Sequence, residues 1–357
     1  MVRGLASDSM RWRGSASNPV QWRGGASDSL QWRARASVPL RYRGRAFCPL
    51  RYTEAMENTD AYNSAPIGVF DSGFGGLTVA REIAKALPGE SIIYLGDSAR
   101  CPYGPRDLTE VDGFVQQICA WLVSQGVKMI VIACNTATAA GLVHAQQTFS
   151  VPIIGVVEPG ARAAVHATRN RRVGVIATKG TIESGAYAHA IRNIDAGITV
   201  FSTATPRFVE IAERGIRMAE GPVEDYTSLA SKVYVRPAFQ EIAKEYLEPL
   251  RRCGIDTLVL GCTHYPLLKA LIGAVVGREV TLISSAKEAA RDVRAILGRK
   301  GALASGDAVP TRRFCTTGSN LEEFASFGGR VFRSPLERVE HIELPRCDDA
   351  LKDLQPV

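Results

Sequence analysis

The chain has 357 residues, 46% of them hydrophobic, with eight cysteines and a formal net charge of +7. That length gives room for two domains with proper cores; no apolar run is long enough to span a membrane, and no short one ends in a small-residue cleavage site, so neither a membrane protein nor an exported one is expected. Residues 1–52 hold ten Arg, no Lys and two Asp, which leaves the remainder close to neutral and excludes any argument for an acidic partner outside that tail.

Residues 1–50 are five copies of a ten-residue unit, as Gln21–Leu30 and Gln31–Leu40 show most plainly. A period of ten does not return to one helix face, and each unit has only two bulky apolar residues, so the tail 1–65 is expected to be a disordered repeat. Interleaved Arg and Trp suit stacking on single-stranded nucleic acid, but the blander reading, low-complexity sequence upstream of Met56, is preferred and nucleic acid is not an expected partner.

From Pro66 the texture changes. Ile67–Phe70 reads as a strand closing on Asp71-Ser72-Gly73-Phe74-Gly75-Gly76, and the helix Leu77–Leu87 follows, stopped by Pro88-Gly89. This glycine-rich turn lacks the third glycine of a dinucleotide fingerprint and already carries an acid at the strand end, so no such cofactor is expected. Ile92–Leu95 is a second strand, ending near Asp97, and Cys101-Pro102-Tyr103-Gly104-Pro105 is a loop. A periodic helix then places Val111, Phe114, Val115, Ile118, Cys119 and Leu122 on one face, with Thr109 as its expected cap and Gly126 as its end.

Lys128–Ile132 is an unbroken apolar strand of the kind buried on both faces of a parallel sheet, and it ends on Ala133-Cys134-Asn135-Thr136 before the helix Ala137–Gln147. Val151–Val157 is expected as a strand ending at Glu158. A second series follows, with strands at Val173–Ala177 and Ile198–Phe201 and helices over Phe208–Arg214 and Pro237–Arg252. Thr257–Gly261 then repeats the earlier pattern, closing on Cys262-Thr263-His264-Tyr265-Pro266. A strand Val280–Ile283, a helix Lys287–Leu297, and short elements including Arg313–Thr316 and Arg338–Glu343 complete the chain.

Alternating strands and helices predict parallel sheets with helices on both faces. We expect an α/β protein of two similar doubly wound domains facing each other across the active site. The first comprises residues 66–156 and 284–345 and carries Cys134; the second, 157–283, carries Cys262; 346–357 is a polar tail. Ligands in such sheets sit beyond the carboxyl ends of strands, where both cysteines fall. As core thiols they would be inert. Each is followed by hydrogen-bonding side chains, however, and two equivalent thiols across a cleft suit removal of a proton from one face of a carbon and its return from the other. No CxxC pair occurs, and Cys262-x-His264 is too tight for zinc-finger spacing, so no metal is expected.

Four motifs, Phe70–Val79, Leu95–Asp97 with Cys101–Gly104, Ala133–Thr138 and Gly261–Pro266, together resemble glutamate racemase, of the aspartate/glutamate racemase family, from about Pro66 to Leu297. The stretch Glu220–Arg236 is longer than this family usually carries. The resemblance implies a cytoplasmic, cofactor-independent enzyme that interconverts L- and D-glutamate and supplies D-glutamate for peptidoglycan. It implies Cys134 as the thiol that takes the α-proton of D-glutamate and Cys262 as the one that takes that of L-glutamate. Asp71 and His264 would assist them, and Asp71-Ser72, Tyr103-Gly104, Asn135-Thr136 and Thr263-His264 would contact substrate. Relatives acting on aspartate typically carry Glu where this chain has His264, which favours glutamate. The resemblance leaves open activation by a cell-wall precursor and pairing into a homodimer. The residues alone leave Asp71 open as a helix cap and His264 as a structural donor, and place Glu158, Thr178 and Thr181 at ligand ends of strands without assigning them roles.

Overall fold

The structure is a computed structural model that describes residues 20–22, 59–218, 236–305 and 309–345. In chain order it has β1 (Val20–Trp22), α1 (Thr59–Ser64), β2 (Ile67–Asp71), α2 (Leu77–Ala86), β3 (Ile92–Gly96), α3 (Leu108–Ser124), β4 (Met129–Ile132), α4 (Asn135–Thr148) and β5 (Ile153–Gly155). There follow α5 (Val157–Ala167), β6 (Arg172–Ala177), α6 (Lys179–Glu183), α7 (Ala186–Ile194), β7 (Thr199–Ala204), α8 (Arg207–Arg217), α9 (Pro237–Arg252) and β8 (Thr257–Gly261). A 3-10 turn at Tyr265–Leu268 leads into α10 (Lys269–Val276), β9 (Thr281–Ser284), α11 (Ser285–Arg299), β10 (Arg312–Thr316), α12 (Leu321–Phe332) and β11 (Val339–His341).

The strands form two sheets. One is all parallel in the order β11-β10-β3-β2-β4-β5; the other has the order β1-β7-β6-β8-β9 and is parallel except for β1. The inner strands β2, β3, β4 and β8 are buried along their whole length, which is why their sequences are nearly continuous apolar runs. In the first sheet the order reverses between β2 and β4, in the second between β6 and β8. Each reversal opens a crevice at the carboxyl ends of the two strands, where a ligand can sit. Cys134 follows β4 and Cys262 follows β8, so each thiol borders its own sheet's crevice.

From β2 onward the chain crosses between the sheets twice, through α5 and through α11, and these two helices pack against each other. Arg162 Nη2 on α5 meets Asp292 Oδ2 on α11 at 2.5 Å. The first lobe is pinned by a buried ion pair: Lys128 Nζ lies 2.6 Å from Glu90 Oε2 and donates to the carbonyls of Asn63 and Ala302. Among the described residues no helix is long and apolar enough to cross a membrane.

Several expectations change. The cap of α3 is Asp107 and not Thr109, because the Asp107 carboxylate accepts the Thr109 N–H at 2.7 Å. The strand expected over Val151–Val157 shrinks to Ile153–Gly155. Val157 begins α5, whose first turn tolerates Pro159 because the N–H it lacks would have no helical partner there, and Glu158 is exposed on that turn. Helices α7 and α12 were not foreseen; the first starts from a left-handed Gly185 and the second hides its period behind Gly328-Gly329. Val20–Trp22 of the repeat add to the second sheet as an antiparallel edge strand on β7, where no strand was expected. The rest of 1–58, including Met56, and residues 219–235 and 346–357 lie outside the described residues.

Candidate active site

The first lobe contributes the turn after β2. Asp71 is fully buried, and its Oδ2 accepts the N–H groups of Gly73 and Gly76 at 3.1 Å each, so it does cap this turn. Its other oxygen, Oδ1, accepts the Thr263 hydroxyl of the second lobe at 3.3 Å. Tyr94 donates to the Gly73 carbonyl and fixes the turn from below. Burial raises the Asp71 pKa first; the His264 charge and the hydrogen bonds from Gly73, Gly76 and Thr263 draw it back without restoring the ordinary value.

Cys134 is the N-cap of α4, and its Sγ accepts the Ala137 N–H at 3.5 Å; the Ser72 hydroxyl lies 4.0 Å away. Only 6% of the residue is exposed. Burial pushes this thiol's pKa far above that of a free cysteine and the Asp71 charge adds to it, whereas the Ala137 N–H and Ser72 pull it down.

The second lobe contributes Cys262, 7% exposed, with Sγ 3.8 Å from His264 Nδ1. On the far side of the ring, His264 Nε2 faces Glu213 Oε1 at 3.5 Å. Burial works against the imidazolium, but contacts with Cys262 and Glu213 outweigh it and raise the His264 pKa to about 10. Glu213 in turn is held below the usual carboxylate range by His264, against the opposing effect of burial.

Hydroxyl groups close the seam between the lobes. Thr136 Oγ1 lies 2.9 Å from Thr178 Oγ1 and 3.2 Å from Thr181 Oγ1, and these last two are 3.0 Å apart. The Gly180 N–H donates to the Gly104 carbonyl at 2.9 Å, and a Cβ on Gly104 would stand 2.8 Å from Thr178 Cβ, so only glycine fits there. Asn135 accepts the Tyr187 hydroxyl through Oδ1 at 2.7 Å, while its buried Nδ2 has no acceptor. A buried amide donor left without a partner is costly unless a ligand supplies one. Among the described residues no group of three or more His, Cys, Asp or Glu is placed to hold a metal ion.

Of the residues nominated from sequence, Asp71, Ser72, Cys134, Asn135, Thr136, Gly104, Cys262, Thr263 and His264 are joined by these contacts. Tyr103 is buried with its hydroxyl donating to Asp97. Thr178 and Thr181 join the seam, and Glu158 does not. Three participants went unrecognised in the sequence: Glu213, Tyr187 and Thr78, whose hydroxyl reaches the Thr263 carbonyl at 3.4 Å. Glu213 lies on α8 among buried Phe208, Ile211, Ala212 and Ile216, and in the sequence looks like any polar residue of an amphipathic helix. No signal in the sequence separates it from a solvated glutamate.

Two parallel sheets that meet at their switch points, each presenting a buried thiol, define an α/β enzyme that holds a small ligand between two lobes. A family model described as Asp/Glu/Hydantoin racemase matches residues 67–293, and the chain belongs to that family: it is a racemase. A glutamate racemase of Listeria monocytogenes is 45% identical over 278 residues, which is 78% of this chain and 98% of that one. The glutamate racemase isoform RacE1 of Bacillus anthracis superposes with a TM-score of 0.71 at 42% identity, over 79% of this chain and 99% of its own. A glutamate racemase from Francisella tularensis, solved in complex with D-glutamate, gives 0.69 at 34% identity, with 79% of this chain and 98% of that one covered.

Proposed function

We propose that this racemase interconverts L- and D-glutamate without a cofactor, by proton transfer between two thiols on opposite faces of the α-carbon, and that it supplies D-glutamate for peptidoglycan. The observation that carries this reading is the pair of buried cysteines, each at the carboxyl end of an inner strand of a different sheet. The names of the relatives favour glutamate as the substrate.

With L-glutamate bound, Cys262 as the thiolate takes the α-proton, with the His264 ring beside it. The Cys134 thiol gives its proton to the other face of the carbanion. The product is D-glutamate, with Cys262 now a thiol and Cys134 a thiolate. With D-glutamate the same steps run backwards and restore the starting protonation. Burial works against the charge on Cys134, and the substrate ammonium beside it would replace part of the solvation that burial removes when it acts as base. The carbanion needs donors for its carboxylate in a site closed to water. The Asn135 amide, the N–H groups at the start of α4 and the Thr136–Thr178–Thr181 hydroxyls are suited to the two carboxylates.

The direct test is circular dichroism of D-glutamate incubated with the purified protein and no added cofactor; the signal should decay to zero. Cys134→Ala and Cys262→Ala should each abolish turnover in both directions, since one thiol cannot serve both faces. Near-normal turnover in either variant would rule out the two-thiol mechanism. Faster turnover of aspartate than of glutamate would reassign the substrate.

A further inference from the structure

His264 is held loosely by its polar neighbours. Nδ1 is 3.8 Å from the Cys262 sulfur, and Nε2 makes no hydrogen bond, with Glu213 at 3.5 Å. Contacts this long do not fix a ring plane, so its orientation has to come from packing. The packing comes from the other lobe, through the turn Gly73-Phe74-Gly75.

The Phe74 ring meets the imidazole edge to face, with centroids 5.4 Å apart at 68°. Gly75 lies so close that a Cβ there would be 2.7 Å from His264 Cε1. Phe74 is itself backed by Phe327 on α12, centroids 5.6 Å apart at 73°. Phe327 in turn lies under the Arg217 guanidinium, whose carbon is 5.5 Å from the ring centre, and Arg217 pairs with Glu323 at 3.2 Å. Phe74, Phe327, Glu213 and His264 share the wall of a cleft of about 460 Å³. Removing the Phe74 ring would therefore extend that cleft along the imidazole and free the imidazole to tilt.

We infer that Phe74 is a positioning residue for His264: its ring edge holds the imidazole in line between Cys262 and Glu213 and so sets the rate of proton transfer at the Cys262 face. This rests on the two-thiol reading above. It assigns Phe74 to one half-reaction only, because Cys134 has its own supports in Ser72 and the Ala137 N–H of α4.

Because the equilibrium constant of a racemase is one, kcat/KM must fall equally for both enantiomers in any variant, so rates alone cannot tell the faces apart. Primary isotope effects can. If transfer at Cys262 becomes the slow step, α-deuterated L-glutamate shows an isotope effect nearer its full value. With α-deuterated D-glutamate the Cys134 step then comes to equilibrium first, and the effect shrinks.

In Phe74→Ala we expect turnover to fall by a factor on the order of ten to a hundred, the scale of a displaced catalytic group. The isotope effect on kcat/KM should rise with L-glutamate and fall with D-glutamate. Phe74→Leu, which refills most of the wall, should recover most of the rate. Unchanged isotope effects, or a Leu variant as slow as the Ala variant, would overturn the assignment and leave Phe74 a residue of general packing. Cys262→Ala measured alongside keeps the two ideas apart. Turnover retained there would overturn the two-thiol reading itself. An inactive Cys262→Ala together with unchanged isotope effects in Phe74→Ala would overturn the role of Phe74 alone.

Discussion

His264 bears its charge in a place where burial alone would remove it, and that has a consequence for stability. Its pKa is raised from 6.5 to about 10 by Cys262 and Glu213. A folded-state value above the unfolded one means that the pairing stabilises the fold fully below about pH 6.5 and that this contribution fades as pH rises towards 10. The melting temperature of the wild type should therefore exceed that of His264→Gln most at pH 6 to 6.5, with the gap closing by about pH 10. A gap that stays constant across that range would mean the ring acts through its volume and not its charge. The thiols, the amide and the hydroxyls of the site were legible in the sequence because they directly follow apolar strands. Glu213 was not, because its partner lies 51 positions later and only the packing of α8 against the 3-10 turn brings the two together.

At the scale of elements, the strand ends matter more than the strands. The turn between β2 and α2 approaches Thr263 and His264 so closely that position 75 has no room for a side chain: a Cβ would lie 2.6 Å from Thr263 Oγ1. Gly75→Ala must push the two lobes' loops apart or displace His264. We expect it to lower kcat/KM on the order of a hundredfold and to cost about 1–3 kcal/mol of stability. Gly89→Ala is the matched control, because a Cβ there meets nothing within 4 Å and stability should stay within about 0.5 kcal/mol. Urea unfolding with steady-state kinetics on both variants checks the pair, and a fully active Gly75→Ala would show that the seam has slack. The strands were readable because burial on both faces leaves only apolar residues in them. Helix α7 was not, since over nine residues only Tyr187 and Ile191 are large buried anchors, too short a pattern to stand out among the alanines.

For the whole molecule, the first question is how much of the chain the enzyme needs. The matched family region begins at residue 67, and just ahead of it Tyr62 donates to the Lys128 carbonyl at 3.4 Å while the Asn63 carbonyl accepts from the buried Lys128 ammonium. A chain beginning at Met56 keeps both contacts and loses β1, which adds only three residues to the outer side of β7. We expect it to fold and to racemise glutamate at the rate of the full chain. Loss of activity would mean that β1 supports the second sheet. The doubly wound, two-lobed plan followed from the alternation of strands and helices in the sequence. That the two domains face each other across one site was expected as well; the pairing of Thr136 with Thr178 and Thr181 was not, because no local pattern encodes which hydroxyl meets which across the seam.

The two crossings between the lobes run side by side, through α5 and α11, with Arg162 and Asp292 joined across them. A single tether would let one lobe swivel freely about the other. Two adjacent tethers act as a pair of pins and leave swinging about one line as the easiest relative movement. Admission of the amino acid, desolvation of both sulfurs and release of the opposite enantiomer then lie along one mechanical coordinate, so a change that stiffens the pin line should slow every exchange of ligand without touching a reacting atom.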